Sequence, residues 1–532
     1  MFKNYVNHFQ LTKMEILLTI SLMLSLTGFK FTHAVTPALI LTPLIEENKT
    51  EEARKLASVD PLLFLNVTSY SGFLTVNKEF GSNLFFWYFP VPNKPVDKTP
   101  WIIWLQGGPG ASSLAGLFDE IGPFEYKKDL GLKIRESSWC NEFSMVFIDN
   151  PVGAGFSFTN SVDGFTSNMT MYSNQLYTAV EQFVRLFPEL QTAPLYLAGE
   201  SYAGRYVPAF AHKTLEEKAK GDRAKPSFSL KGLIMGNPVL DREGVMNTTS
   251  AFYNWGLIDA QGVIAMKPFE MEYIKAVKEG NSSAAVVLRD KFLDRLQDMA
   301  SQTQLYNVLT NYGDLWGFMD YIKLENIKEA LHVGTIQYTS SNVSVHIHMI
   351  PDFLTKMTPI MDTVLENYEV LIYCGQLDLT TPCVSAAEWR RQQWRWNGRD
   401  DFLKAPRIPW WYNESDAGYV KTGGRFTEVL IRGAGHLAPI DKPGQVKQLV
   451  SYFIRGLDMP MSPNYQIKPE DTPDYSIPYS GSDFKTGMII SISFNVVLVL
   501  GIVLLVVFAV RWKRRNDDYF YAPLSDGILS MS

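Results

Sequence analysis

Ser201 stands in Gly199-Glu200-Ser201-Tyr202-Ala203-Gly204, after the apolar run Leu195-Tyr196-Leu197 and before a helix-like pattern. A strand, a tight turn carrying serine, and a helix form a nucleophile elbow, whose small residues leave the hydroxyl exposed. The fit to Gly-x-Ser-x-Gly is incomplete because position 203 is Ala. Taken alone, the stretch also reads as an ordinary strand–helix turn. A serine hydroxyl becomes a nucleophile only when a base takes its proton, and a third group must orient that base. Of the 7 histidines, His436 in "EVLIRGAGHLAPIDKP" is the one in a loop directly after a late apolar strand. Between Ser201 and His436, Asp378 in "EVLIYCGQLDLTTP" has the same strand–loop context, whereas Asp290, Asp294 and Asp298 read as a solvated helix face. Ser, Asp, His is the chain order that goes with this elbow.

Charge developing on a carbonyl oxygen needs backbone N–H groups aimed at it. "WIIWLQGGPGASS" supplies a glycine-rich turn after a strand, and Gly107 and Gly108 permit close approach. The N–H of Tyr202 is the second donor. No Gly-Lys-Ser/Thr follows, so the loop is not a phosphate cradle. Glu200 precedes the nucleophile on a turn that must be tight. A second carboxyl sharing its space would raise one pKa and leave a proton to donate to a substrate carboxylate.

The elements that must carry these residues are short apolar runs: 83–91, 101–106, 144–149, 195–198, 230–237, 369–374 and 426–433. Several are continuously apolar, as strands covered on both faces are. Helical patterns such as Met171–Phe187 intervene, which predicts an α/β fold with a mainly parallel sheet flanked by helices. All three candidate catalytic residues then fall at strand ends, where such sheets place their sites. The segment from about 241 to 365 is more charged and mostly helical, and reads as an inserted cap over the sheet.

The four stretches "WLQGGPGASS", "GESYAGRYVP", "GQLD" and "GAGHLAPIDKP", in this order, resemble the serine carboxypeptidases of the α/β-hydrolase fold. "IDNPVGAGFSF" at 148–158 is a further block of that family. The similarity covers roughly 62–456, and Gln106 and "SDAGYVKTGGRFTEVLIRGAGH" are most like its vitellogenic-like branch. The resemblance implies a Ser201–Asp378–His436 triad, oxyanion donors at Gly108 and Tyr202, and a carboxypeptidase acting on peptide C-termini. It further implies that Gln106, Gly107 and Glu200 hold the substrate's terminal carboxylate, with Glu120 paired to Glu200. Gln106 stands where much of the family has Asn, Ala111 where many members have a cysteine, and the insertion lacks its usual cysteines. Two other readings use the same residues: a serine carboxypeptidase-like acyltransferase, separable by its products, and a silent ectodomain, which would have lost part of the triad.

The 532 residues carry a net charge of −6, which excludes a nucleic-acid footprint, and no motif asks for a metal or cofactor. The apolar run 16–26 after Lys3 and Lys13, with small residues near Ala34, predicts a signal peptide over 1–34. The body runs over 35–459, and the Pro- and Tyr-rich stretch 460–487 reads as a stalk. Residues 488–510 hold no charge and are long enough to span a bilayer. Arg511, Lys513, Arg514 and Arg515 follow, so 511–532 is expected to be a cytoplasmic tail of a type I membrane protein. Tyr521-Ala522-Pro523-Leu524 fits a sorting signal, leaving lysosome or endosome, Golgi and cell surface as destinations. Sequons at Asn48, Asn66, Asn168, Asn247, Asn281, Asn342 and Asn413 agree with a lumenal or extracellular body. Cys140, Cys374 and Cys383 allow one internal disulfide, its pairing open.

Overall fold

The computed structural model describes residues 36–221, 228–245, 248–301, 303–310, 312–313, 315–463, 465–466 and 504–512. The expected signal peptide, Asn247 and nearly all of the stalk and tail lie outside the described residues. Of the expected span, only 504–510 are described, as part of a helix over 504–512. Among the described residues no helix is long and apolar enough to cross a membrane.

Among the described residues twelve strands form: β1 (Tyr70–Asn77), β2 (Ser82–Phe89), β3 (Trp101–Leu105), β4 (Phe124–Lys127), β5 (Gly131–Ile134), β6 (Ser144–Ile148), β7 (Pro194–Glu200), β8 (Ser229–Gly236), β9 (Glu369–Gly375), β10 (Ile408–Tyr412), β11 (Ser415–Gly423) and β12 (Phe426–Ile431). β4 and β5 pair as a separate hairpin, and the other ten join in the order β1-β2-β6-β3-β7-β8-β9-β12-β11-β10. The six middle strands, β6 to β12 in that order, are parallel; the two at each edge are antiparallel. All seven strands expected from apolar runs are present.

β3 shows why the centre reads as unbroken apolar sequence. Trp101, Ile103 and Leu105 enter the core on one face, with the Met169–Leu186 and Ala203–Lys220 helices. Ile102 and Trp104 enter the core on the other, with the Pro443–Arg455 helix. β3 is thus buried on both faces, and period-2 alternation disappears.

The stretch between β8 and β9 is helical, as its composition predicts, but it does not pack as one piece. Thr248–Asn254, Ala260–Lys278 and Ser282–Met299 carry two small cores of their own, around Phe252, Met266 and Phe292 and around Tyr273 and Ala285. Thr358–Asn367 instead packs into one sheet-face core through Met361, Val364 and Leu365. Phe318, Ile322 and Ile327 join the opposite face. These apolar stripes draw part of the expected insertion into the main layers, and the helices over 248–299 are what stands apart.

Asn48, Asn66, Asn168, Asn281 and Asn413 are exposed. Asn342 is half-buried, and its Nδ2 donates to the Gly153 carbonyl at 2.8 Å. Cys374 and Cys383 are disulfide-bonded, which leaves Cys140 as a buried thiol.

Candidate active site

β7 runs through Glu200 and delivers Ser201 into a left-handed turn with φ +59°. A non-glycine residue held there is strained, and neighbouring bonds maintain it. The Ser201 N–H donates to the Gly236 carbonyl at 3.0 Å, and the Ser201 carbonyl accepts from Gly204 at 3.0 Å and Val239 at 2.8 Å. A methyl added to Gly199 would lie 2.6 Å from the Ala203 Cβ. The elbow therefore accommodates alanine at 203 because position 199 has no side chain.

His436 and Asp378 are buried and joined by a 2.7 Å hydrogen bond. An ionised carboxylate only accepts, so Nδ1 carries the proton and Nε2 is left to act as base. Asp378 also accepts from Asn237 Nδ2 at 2.7 Å, Thr381 Oγ1 at 2.5 Å, and the backbone N–H groups of Thr380 and Thr381 at 2.7 and 3.1 Å. Burial alone would raise this carboxyl; the imidazole and the Thr381 donors outweigh it and hold Asp378 below its usual range. The Cys374–Cys383 disulfide closes the loop that carries Asp378. Ser201 and His436 line one cavity of about 300 Å³ with no hydrogen bond between them. Such contacts often tighten only when substrate binds.

The glycine-rich loop lies on the elbow. A Cβ on Gly107 would come within 2.6 Å of the Tyr202 nitrogen and 2.7 Å of the Glu200 oxygen. Gly108 has φ +105°. Among the described residues neither the Gly108 nor the Tyr202 N–H has an acceptor. Asp149 anchors this loop, accepting from Ser112 Oγ at 2.7 Å and the Ser113 N–H at 2.8 Å. That contact gives the 148–158 block its place in the site.

Beside Ser201, Gln106 Nε2 donates to Glu120 Oε1 at 3.1 Å and Glu200 Oε1 at 3.2 Å. Trp104 Nε1 donates to Gln106 Oε1 at 2.9 Å, which fixes which end of the amide meets the carboxyls. Glu120 and Glu200 are both buried, and the Oε2 of each has no donor. Burial raises both carboxyls; the Glu120 charge then lifts Glu200 well above the usual range, while hydrogen bonds to Glu200 and Gln106 limit the rise of Glu120. A proton held by the pair keeps one of the two carboxyls neutral. Gln106, Gly107 and Glu200 open into the cavity that Ser201 and His436 line.

Several residues at the site carry no signal of their own in the sequence. Tyr306 stacks on the His436 ring, and Asn237 ties Asp378 to β9 by also accepting from the Gly375 N–H at 3.1 Å. Asp441 accepts from the Gly435 N–H at 2.7 Å and Asn307 at 2.9 Å, which braces the histidine loop. Arg205 is buried beneath the elbow, with Nε 3.1 Å from Asp352 Oδ2, to which the Tyr202 hydroxyl donates at 2.8 Å. Among the described residues no group of His, Cys, Asp and Glu is arranged to hold a metal ion.

The fold is also that of known proteins. The chain is similar to KEX1(delta)p, a prohormone-processing carboxypeptidase from Saccharomyces cerevisiae, with a TM-score of 0.67 and 22% identity over 76% of this chain and 96% of that one. This likeness shows the fold, the α/β-hydrolase fold, with its mixed, mainly parallel sheet. The venom serine carboxypeptidase of Apis mellifera is 37% identical over 428 residues, covering 78% of this chain and 90% of that protein. The vitellogenic carboxypeptidase of Aedes aegypti is 33% identical over 430 residues, covering 78% and 89%. Residues 61–456 match the family described as serine carboxypeptidase, and they include the elbow, the glycine-rich loop, the paired glutamates and the His436–Asp378 pair. The chain therefore belongs to the serine carboxypeptidase family, among relatives of the vitellogenic-like kind.

Proposed function

We propose that the protein is a serine-type carboxypeptidase that releases single residues from peptide C-termini, working best at acid pH. One observation carries this reading: Gln106 and Glu200, tied to Glu120 through the Gln106 amide, open beside Ser201 in the same cavity as His436. A protonated carboxyl there donates to a free C-terminal carboxylate, so the last peptide bond is the one laid over the nucleophile.

Ser201 Oγ then attacks that carbonyl while His436 Nε2 takes its proton, and Asp378 holds the imidazole and steadies its charge. The Gly108 and Tyr202 N–H groups receive the oxyanion. Collapse of the tetrahedral intermediate breaks the C–N bond; His436 returns the proton to the departing amine and leaves an acyl-Ser201 ester. Water, deprotonated by His436, hydrolyses the ester and frees the serine. No cofactor is needed.

The family membership and the Cys374–Cys383 disulfide support a protein of the secretory pathway. With the expected signal, sequons and uncharged segment 488–510, the reading is a lumenal or extracellular enzyme on one C-terminal span. The test is product analysis on a free-acid peptide and on an acyl-glucose ester. Release of the terminal amino acid, abolished in Ser201→Ala, supports the reading. Transfer from the ester without peptide cleavage, or no fluorophosphonate labelling of Ser201, overturns it.

A further inference from the structure

A second cavity of about 310 Å³ adjoins the first, sharing Gly108, Ser201 and Tyr306, and reaches away from the glutamate pair under the helical insertion. Arg242 forms part of its wall. The Arg242 side chain is 5% exposed, and its guanidinium lies 3.9 Å from the centre of the Phe353 ring. Its Nε is sealed without an acceptor, and among the described residues the guanidinium makes no hydrogen bond or ion pair. A buried cation without an anion is costly, and most are paired.

The other charged groups in this cavity do not supply that anion. Arg289 bonds Asp290 at 3.2 Å, and Asp290 and Asp294 are exposed on one helix towards solvent. His346 is half-buried, and burial lowers its pKa, which favours its neutral form. Burial and the neighbouring charge of Arg289 also depress Arg242, to about 9, so it remains a cation through the acid and neutral range in which a side-chain carboxylate is already ionised. The most buried charge lining this second cavity is thus positive and unopposed.

We propose that Arg242 binds a side-chain carboxylate on the residue that supplies the scissile carbonyl, so that the enzyme favours glutamate or aspartate there. The inference rests on the carboxypeptidase reading: if the glutamate pair holds the leaving residue, the cavity on the other side of Ser201 takes the acyl residue. A charged hydrogen bond in a partly desolvated site discriminates strongly against the neutral amide. Asp290 and Asp294, at the mouth, keep this from being a general anion trap and leave the preference local to Arg242.

The experiment compares two N-blocked dipeptides with the same C-terminal residue, one with glutamate and one with glutamine before it. It uses the full-length protein in detergent at about pH 6, where a free glutamate is ionised. The wild type should show kcat/KM at least about tenfold higher for glutamate. Arg242→Gln should bring the ratio to about one, and Arg242→Lys should keep part of it. Misfolding lowers both rates and leaves their ratio, so the ratio reports the contact. A wild-type ratio near one, or a ratio that survives Arg242→Gln, overturns the proposal. Protection of Ser201 from a fluorophosphonate probe by N-blocked glutamate against N-blocked glutamine separates the two levels. If neither dipeptide is cleaved, the carboxypeptidase reading fails, while selective protection by glutamate, lost in Arg242→Gln, still supports the Arg242 site. Equal protection by the two overturns it.

Discussion

The Tyr306 ring lies 4.9 Å from the ring of His436, with 21° between the planes, and the Tyr306 carbonyl accepts the His436 backbone N–H at 2.6 Å. A residue from the stretch between β8 and β9 therefore holds His436 by both its ring and its main chain. Tyr306→Ala should lower kcat by about tenfold to a hundredfold, the scale of a small misplacement of a reacting group. Tyr306→Phe keeps the stack and should recover most of it. Equal kcat in wild type and Tyr306→Ala would show that the ring does not position the histidine.

Arg205 and Asp352 are both fully buried beneath the elbow. Arg205 also donates to the Leu240 carbonyl at 3.0 Å and the Asp352 carbonyl at 2.8 Å. Asp352→Ala leaves a cation stranded in the core and should cost about 3–5 kcal/mol of stability. A urea midpoint within error of wild type would contradict that.

The disulfide joins residues 9 apart around Asp378. Closing so short a loop limits the unfolded chain and is worth about 2–3 kcal/mol. The Cys374→Ser/Cys383→Ser double variant should be less stable by that amount and lower in kcat, since the Asp378 loop is freed. Cys140 is buried and its thiol is pushed up to about 12, so iodoacetamide should not modify it before unfolding. Rapid modification of the native protein would show that the thiol is accessible.

What the sequence made legible was whatever repeats locally. Runs such as β3 and β6 are apolar because both faces are covered, and the candidates Ser201, Asp378 and His436 are legible as residues at or just past strand ends. β1, the β4–β5 hairpin, β10 and β11 carry no such run: β10 holds Pro409 and β11 has Asp416 and Lys421, as antiparallel strands towards a sheet edge tolerate. Tyr306 and Asn237 reach His436 and Asp378 through space, from segments whose pattern concerns other contacts. No spacing marks a ring that will stack on a histidine more than a hundred residues away. The division of 241–365 between insertion and main layers was hidden for the same reason: Met361 and Phe318 look alike in sequence and pack on opposite faces.

The glutamate pair also makes stability depend on pH. Burial raises Glu120 to about 7, above its value in the unfolded chain, and burial and the Glu120 charge also raise Glu200 well above the usual range. A carboxyl raised on folding binds its proton more tightly in the native state, so its stabilisation is complete below about 4.5 and is lost as pH rises through about 7. The melting temperature should fall across that window, and Glu120→Gln should reduce the slope. An unchanged slope would mean that the pair does not carry a native-state proton.

The most direct measurement of the central claim is KM against pH, from about 4.5 to 7.5, for a free-acid peptide and its C-terminal amide. If the protonated Glu120–Glu200 pair reads the terminal carboxylate, KM for the free acid rises as the pair ionises, KM for the amide does not, and Glu200→Gln flattens the free-acid curve. Parallel curves for the two substrates would contradict the account, because the pair would then play no part in choosing the end of the peptide.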